Sequence, residues 1–202
     1  MIDIGALLKT FIYLISSSLL YPVLFLLVLL TLMVIIYAGS FFAEWIELSR
    51  LDKCLPQDLP GIIKSRRPSK FLTHRVNGYL ELLNDILDKN EDVEVSAENL
   101  LQETSISLWK SMDKYRILVR VAPSLGLVGT LIPMGTGLAA LGEGDMTKLT
   151  TDLVIAFTTT VVGLAVGTTA FFIYTIRRRW IESDIKNMEL ATELLVPEKS
   201  EE

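Results

Sequence analysis

The sequence predicts an all-α membrane protein with three transmembrane helices, a cytoplasmic helical insert and a helical extension of the last span. Half of its 202 residues are hydrophobic and the mean hydropathy is +0.44, as expected when much of a chain faces lipid. Three apolar runs, 19–43, 118–141 and 152–176, are each long enough to cross a hydrocarbon core of roughly 30 Å, which takes about 20 helical residues. The segment between the first two runs is polar and has helical periodicity.

The N-terminal segment, residues 1–18, is apolar apart from Asp3 and Lys9. It lacks the basic start and the small-residue cleavage site of a secretory signal peptide. We therefore expect an interfacial helix on the outer membrane surface, separated from the first span by the serines at 16–18. The first transmembrane helix, 19–43, contains no charged residue.

The insert, residues 44–117, is predicted to start with turns and to continue as a helical bundle. Near its start the turn-forming residues are Pro56, Pro60, Gly61 and Pro68. A first helix then has one apolar face, made of Val76, Tyr79, Leu80, Leu83, Ile86 and Leu87.

A second helix of the insert is expected to begin at an N-cap, Ser96, and to run unbroken into the membrane at about Leu118. The basic residues from Lys64 to Arg75 are interpreted as an exposed cluster. That cluster would face either anionic headgroups or a cytoplasmic partner.

The second and third spans, 118–141 and 152–176, form a hairpin around an outer turn at 142–151. Each span has a face of small residues at three- and four-residue steps, which lets helix backbones approach closely. This spacing alone favours a packing surface, with a hydroxyl-lined ion path as the alternative. The residues are Gly126, Gly129, Thr130, Pro133 and Gly137 on the second span, and Ala156, Thr160, Gly163 and Gly167 on the third. Pro133 is expected to kink its helix and to free a carbonyl.

The interior of the three predicted spans contains no Asp, Glu, Lys, Arg or His. Proton relays and most ion pathways need an ionisable group at membrane depth. If this chain moves ions, another molecule supplies that group. The nearest carboxylate, Asp152, lies at the outer mouth of the third span.

Charge asymmetry predicts the topology. The basic residues after the first span and the arginines at 177–179 lie on one side of the membrane, and basic residues mark the cytoplasm. The N-terminus and the 142–151 turn are then outside. A cytoplasmic helix, 177–196, and a disordered tail, 197–202, follow the last span.

Several function classes are disfavoured by composition. An intramembrane enzyme needs a nucleophile, an acid–base pair or a metal set at depth, whereas these spans offer only hydroxyls. One cysteine, Cys54, and one histidine, His74, leave little for a disulfide or a metal site. A net charge of −5 gives no basic face for nucleic acid. No cofactor is expected.

The motif residues of the hairpin resemble the MotA/TolQ/ExbB proton-channel family, and an ExbB/TolQ-like inner-membrane stator subunit in particular. They are Ala122-Pro123, then Leu125-Gly126-Leu127-Val128-Gly129-Thr130, a short outer loop, and Thr160-Val161-Val162-Gly163-Leu164 ahead of Tyr174. The resemblance implies a ring of subunits, usually a pentamer. The ring would enclose a dimeric single-span partner of the MotB/TolR/ExbD type, whose membrane aspartate matches the missing group.

The resemblance also implies an ion pathway. Thr130 and Thr160 match the family's pore-facing threonines, and we add Thr159 and Asp152 to the predicted pathway. Ile155 stands where ExbB-like members place a glutamate, so Asp152, about one helical turn earlier, is the candidate replacement. Pro133 replaces a glycine that usually follows the first motif.

The expected function is that of a proton-channel stator subunit in an ion-driven, rotary, energy-transducing complex. This complex would use the proton motive force to do work through its partner, with sodium as the less favoured ion. The alternative is a non-conducting scaffold that holds a partner's transmembrane helix.

Overall fold

The protein is described by a computed structural model covering residues 4–51, 57–66, 69–89 and 92–196. Within those residues it contains seven helices and no strand. The predicted all-α fold class is confirmed. The helices are α1 (Ile4–Ser18), α2 (Leu20–Arg50), α3 (Leu59–Lys64), α4 (His74–Lys89), α5 (Val93–Lys110), α6 (Asp113–Gly142) and α7 (Met146–Leu195).

Three helical stretches are long and apolar enough to cross a membrane: Thr10–Arg50, Val93–Gly142 and Met146–Leu195. They contain the three predicted spans. Since α7 continues without interruption to Leu195, the helical extension of the last span is confirmed as well. The predicted tail, 197–202, lies outside the described residues.

Helical hydrogen bonds continue across the junction of α1 and α2, where the serines predicted a break. The Leu19 N–H donates to Ile15 O (3.1 Å), and the Val23 N–H donates to Leu19 O (3.0 Å). The Ser18 hydroxyl bonds back to Leu14 O at 2.9 Å, so this serine satisfies its donor within the helix. The interfacial position of α1 stays a prediction.

The start of the insert forms a short helix, α3, where turns were expected. Its Pro60 lies in the first turn, where a missing backbone N–H costs no hydrogen bond. Pro56 and Pro68 lie outside the described residues, as does Arg67 of the predicted basic cluster.

Two expectations for the second helix of the insert are wrong. It begins at Val93 and not at an N-cap at Ser96, and it does not run unbroken into the second span, because α5 ends at Lys110 and α6 begins at Asp113. A turn at Ser111 and Met112 separates them. The Met112 N–H donates to Trp109 O at 2.9 Å, and the Ser111 hydroxyl to Leu108 O at 2.6 Å. These short-range bonds tighten the last turn of α5 and end it.

The chain divides into two compact units. The first comprises Met1–Gly39 and Lys114–Ile173. Its core joins α2, α6 and α7 through Leu30, Val34, Leu118, Ala122, Val166 and Ala170. The rings of Tyr37 and Tyr115 lie 5.2 Å apart, and Lys114 Nζ lies 4.8 Å from the Tyr37 ring centre.

The second unit comprises Ser40–Asp113 and Tyr174–Glu202. Its core joins α3, α4 and α5 to the C-terminal part of α7. The apolar face predicted for α4 is confirmed, since four of its six residues are buried there and the other two, Ile86 and Leu87, are half-buried. The core residues are Ile63, Leu72, Val76, Tyr79, Leu80, Leu83, Ala97, Met188 and Ala191.

Candidate functional site

In the first unit, α6 and α7 approach closely at two glycines of α7: Gly163 lies against the backbone of α6, and Gly167 lies against the Pro123 ring. A Cβ added to Gly163 would lie 2.7 Å from Gly126 Cα and 2.8 Å from Ala122 O. A Cβ added to Gly167 would lie 2.5 Å from Pro123 Cγ. Real side chains do not tolerate such distances, so only glycine permits this approach.

Neighbouring turns of the same contact are almost as tight. A Cβ on Gly129 would lie 2.9 Å from Thr159 Cβ, and a Cβ on Gly137 would lie 3.3 Å from Asp152 Cβ. Thr159 is 3% exposed, and its hydroxyl donates to Ala156 O at 2.9 Å. The structure therefore places Thr159 inside the helix–helix contact, while its assignment to an ion pathway stays a prediction.

Thr130 and Thr160 lie opposite each other across this contact and are half-buried. Their hydroxyls form a hydrogen bond with each other. Thr130 Oγ1 also lies 2.9 Å from Gly126 O and 3.2 Å from Ala156 O, and Thr160 Oγ1 lies 3.3 Å from Ala156 O.

This geometry fixes what the threonine pair can offer to another group. Two hydroxyls have two hydrogens and four lone pairs. One hydrogen serves the bond between Thr130 and Thr160, and a backbone carbonyl accepts the other. The pair therefore presents lone pairs, which can accept a hydrogen bond but cannot donate one.

At the other end of the hairpin, Asp152 is held by a residue that sequence reasoning missed. The Thr136 hydroxyl donates to Asp152 Oδ2 at 2.7 Å, and both side chains are half-buried. Thr136 belongs to the same run of small and hydroxyl residues as Gly137, which was the only available signal. Ile155, at the position of the absent acid, is also half-buried.

Helix α6 continues through Pro123 and Pro133. Pro133 is fully buried, and the predicted kink stays a prediction.

The second unit contains a buried cluster of four charged side chains that sequence reasoning also missed. Arg75 pairs with Glu44 through Nη2, and its Nη1 lies 3.3 Å from Asp184 Oδ2. Arg177 Nη2 lies 3.0 Å from Glu44 Oε2. The four side chains are only 5% to 17% exposed. We call this set, Glu44, Arg75, Arg177 and Asp184, the charge cluster.

The charge cluster corrects the interpretation of the basic segment from Lys64 to Arg75. Lys64, Arg66 and Lys70 are exposed, but Arg75 is turned inward into the cluster. A buried guanidinium needs carboxylate partners. Those partners lie 31 and 109 residues away in sequence, so no local pattern indicated them.

Burial raises the pKa of the Asp184 carboxyl above its ordinary value, and bonds from Thr73 and Arg75 oppose that rise only in part. Thr73 Oγ1 donates to Asp184 Oδ1 at 2.9 Å. Next to the cluster, His74 Nδ1 lies 2.9 Å from Glu47 Oε1. The part of the chain that the structure describes contains no group of three or more His, Cys, Asp or Glu side chains suited to a metal ion.

Comparison with known proteins agrees with the residues of the hairpin. The model of the MotA/TolQ/ExbB proton channel family matches residues 68–190, more than half of the chain. The chain is similar to a putative biopolymer transport protein ExbB homolog of Methanothermobacter thermautotrophicus, with 29% identity over 100 residues. That match covers 49% of this chain and 36% of the relative, so the chain spans about a third of the relative's length. No solved structure matches the chain.

Proposed function

Because the chain belongs to the MotA/TolQ/ExbB proton channel family, we propose that it is the channel-forming subunit of a membrane complex driven by the proton motive force. Several copies, five by the family resemblance, form a ring in the inner membrane around a dimeric single-span partner. The N-terminus faces outward and the C-terminus faces the cytoplasm. Protons move from outside to inside along the interface between ring and partner, and this movement drives rotation of one against the other.

One observation supports this proposal most directly. The hairpin has a half-buried pair of hydroxyls, Thr130 and Thr160, at a depth where the chain has no ionisable side chain. A path made only of hydroxyls and carbonyls can guide a proton but has no group to hold it. The titrating group is then an aspartate of the partner, as in the family.

The hydrogen bonds that Thr130 and Thr160 already make indicate which protonation state of that aspartate the pair favours. A neutral carboxyl can donate to the lone pairs of Thr130 or Thr160, whereas a carboxylate has nothing to donate. A charge inside the bilayer is also far more costly than its neutral form. Each protonation therefore changes the partner's affinity for the hairpin. The energy available to drive this cycle is about 2.3 kcal/mol for each charge that crosses a potential of 100 mV.

A non-conducting scaffold is the second candidate, and close packing favours it. The contact of Gly126 with Gly163 and the bond from Thr159 to Ala156 O serve to hold α6 and α7 together. Under this alternative the threonine pair would stabilise the hairpin and move no ions.

Proton flux in liposomes distinguishes the two candidates. The chain is reconstituted with and without a single-span partner of the MotB/TolR/ExbD type, and flux is followed with a pH-sensitive dye at a fixed membrane potential. We expect flux only with the partner. Loss of one hydrogen bond that matters during transfer costs about 1.5–3 kcal/mol, so Thr160→Val should slow flux roughly tenfold to a hundredfold.

The matched control is Thr158→Val on the same helix. Thr158 is exposed, and its hydroxyl donates to Val154 O of its own helix at 2.7 Å. Its removal should leave flux unchanged. If Thr160→Val assembles with the partner and conducts like the unmodified protein, the pathway assignment is wrong. Strong flux without the partner would contradict the argument from missing acids.

The outer end of the hairpin gives a separate prediction. Asp152→Asn removes the carboxylate that accepts from Thr136 and should lower flux without loss of assembly, because a cation near the mouth loses its counter-charge. Glu143→Gln, on the exposed turn, is the control and should have little effect. Equal flux in the two variants would exclude a special role for Asp152.

A further inference from the structure

We propose that docking of α4 onto α2 and α7 in the second unit is linked to pH, and that Asp184 of the charge cluster is the proton-binding group. The proposal is independent of ion conduction by the hairpin. It rests on the unequal pairing of two buried carboxylates.

Arg75 links the first turn of α4 to both neighbouring helices. Its guanidinium bonds to Glu44 on α2 and to Asp184 on α7. Beyond Arg75, α4 packs mainly through apolar side chains, and it also bonds to α7 through Tyr79 and Thr192 at 2.6 Å and to α2 through His74 and Glu47 at 2.9 Å. Any change in the charge of the cluster therefore acts on the first turn of α4.

The contact between α2 and α7 has a support that does not depend on charge. The rings of Phe41 and Trp180 are stacked 5.3 Å apart with an interplanar angle of 8°. Phe41 is 3% exposed. We therefore expect α4 to respond to protonation, while α2 and α7 stay in contact.

The two carboxylates are not equally compensated. Glu44 accepts from two guanidiniums, those of Arg75 and Arg177. Among the described residues, Asp184 pairs with one guanidinium, that of Arg75 at 3.3 Å, and it accepts from the Thr73 hydroxyl at 2.9 Å. Its side chain is 5% exposed, so water does little to complete the compensation. Of the two carboxylates, Asp184 is therefore the one whose negative charge is less well compensated.

The direction of the linkage follows from these contacts. Burial raises the pKa of Asp184 above its ordinary value, in spite of Thr73 and Arg75. When α4 is released, Asp184 meets water and its pKa returns towards the ordinary value near 3.9. The docked state thus binds the proton more strongly. Docking is strongest at low pH and weakens as pH rises through the raised pKa, by at most about tenfold per pH unit for one proton.

Other charged groups near Asp184 must be considered. Glu44 faces it from α2, Arg75 faces it from α4, and Arg177 on its own helix is engaged with Glu44. His74 bonds to Glu47 beside the cluster at 2.9 Å, so a variant at this position serves as a control.

Hydrogen exchange of the full-length protein in lipid nanodiscs tests the proposal. Exchange of the backbone amides at 74–83 is followed by mass spectrometry from pH 4.5 to 8 and corrected for intrinsic rates. We expect protection of α4 to fall as pH rises. Asp184→Asn should remove this dependence and keep α4 protected at pH 8, because a neutral amide takes the place of the protonated carboxyl.

Two matched variants show whether Asp184 is responsible. Asp88→Asn changes an exposed carboxylate of α4 whose nearest cation, on Arg66, lies 3.9 Å away. It should behave like the unmodified protein. His74→Gln should also retain the dependence. A flat profile in the unmodified protein or in His74→Gln would overturn the proposal, as would an unchanged dependence in Asp184→Asn.

Thr73→Val covers the case in which Asp184→Asn fails to fold. The Thr73 hydroxyl favours the ionised form of Asp184, so its removal should move the midpoint of the exchange profile to higher pH. The same hydroxyl accepts from the Val76 N–H at 3.3 Å. Loss of that bond in Thr73→Val should change protection equally at every pH and leave the midpoint in place. A midpoint that stays in place or moves down would contradict the proposal.

Discussion

Replacing Gly163 by alanine should separate α6 from α7 and destabilise the first unit. The added methyl carbon would lie 2.7 Å from Gly126 Cα and 2.8 Å from Ala122 O. Both are backbone atoms, so no flexible side chain can move aside. Ordinary contacts between carbon atoms are about 3.5–4.0 Å, and the helices must therefore move apart by roughly 1 Å.

The cost follows from what such a movement removes. Each carbon pair at ideal distance gains about 0.1–0.2 kcal/mol, and a gap of 0.5–1 Å forfeits a quarter to a half of it. Extra methyl groups in a tight core typically cost about 1–3 kcal/mol. We expect Gly163→Ala to fall in this range. Gly126→Ala should cost less, because its Cβ would lie 3.1 Å from its nearest atoms.

The assay is reversible unfolding in detergent, with a glycine of the other hairpin helix, α6, as the control because its position has room for a side chain. A Cβ on Gly135 would meet nothing within 4 Å, so Gly135→Ala isolates the helix propensity of alanine, which favours alanine by about 1 kcal/mol. We expect Gly135→Ala to be neutral or stabilising. If Gly163→Ala and Gly135→Ala unfold at the same free energy, the backbone contact at Gly163 does not stabilise the hairpin.

Two further predictions concern the second unit. Arg75→Ala leaves the buried carboxylates of Glu44 and Asp184 without their shared cation and should lower the free energy of unfolding by about 3–5 kcal/mol. Lys89→Ala, which removes an exposed ion pair, should have no measurable effect, and equal losses would contradict a structural role for the cluster. Burial raises the pKa of Tyr79 above its ordinary 10.0, so the fold favours the neutral phenol and loses stability as pH rises past that value. Tyr79→Phe should reduce this alkaline loss in unfolding experiments between pH 8 and 11, and an identical slope in both proteins would refute the assignment.

Features that repeat locally along the chain could be predicted from the sequence. Three apolar runs of sufficient length predicted the spans, and the spacing of Val76, Tyr79, Leu80 and Leu83 predicted the buried face of α4. Each pattern arises within one helix, where geometry relates residues three and four positions apart.

Features that depend on distant residues or on a few local hydrogen bonds could not be predicted in this way. Arg75 looked like one more residue of an exposed basic segment, because its partners Glu44 and Asp184 belong to other helices. Thr136 and Asp152 similarly lie on different helices, 16 residues apart in sequence, so no local pattern indicated their hydrogen bond. The turn at Ser111 interrupts a run with no proline or glycine, so the periodic pattern concealed it.

Packing and ion passage were treated as alternatives for the small-residue face of the hairpin, but neighbouring residues differ in burial. Thr159 is almost fully buried against Gly129, and a methyl group in place of its hydroxyl would still fill that space. Thr160, the next residue, is half-buried and bonds across to Thr130. Because successive residues of a helix point about 100° apart, one face can pack while the adjacent edge stays accessible. A single hairpin can thus hold two helices together through its glycines and offer lone pairs to a partner along their margin.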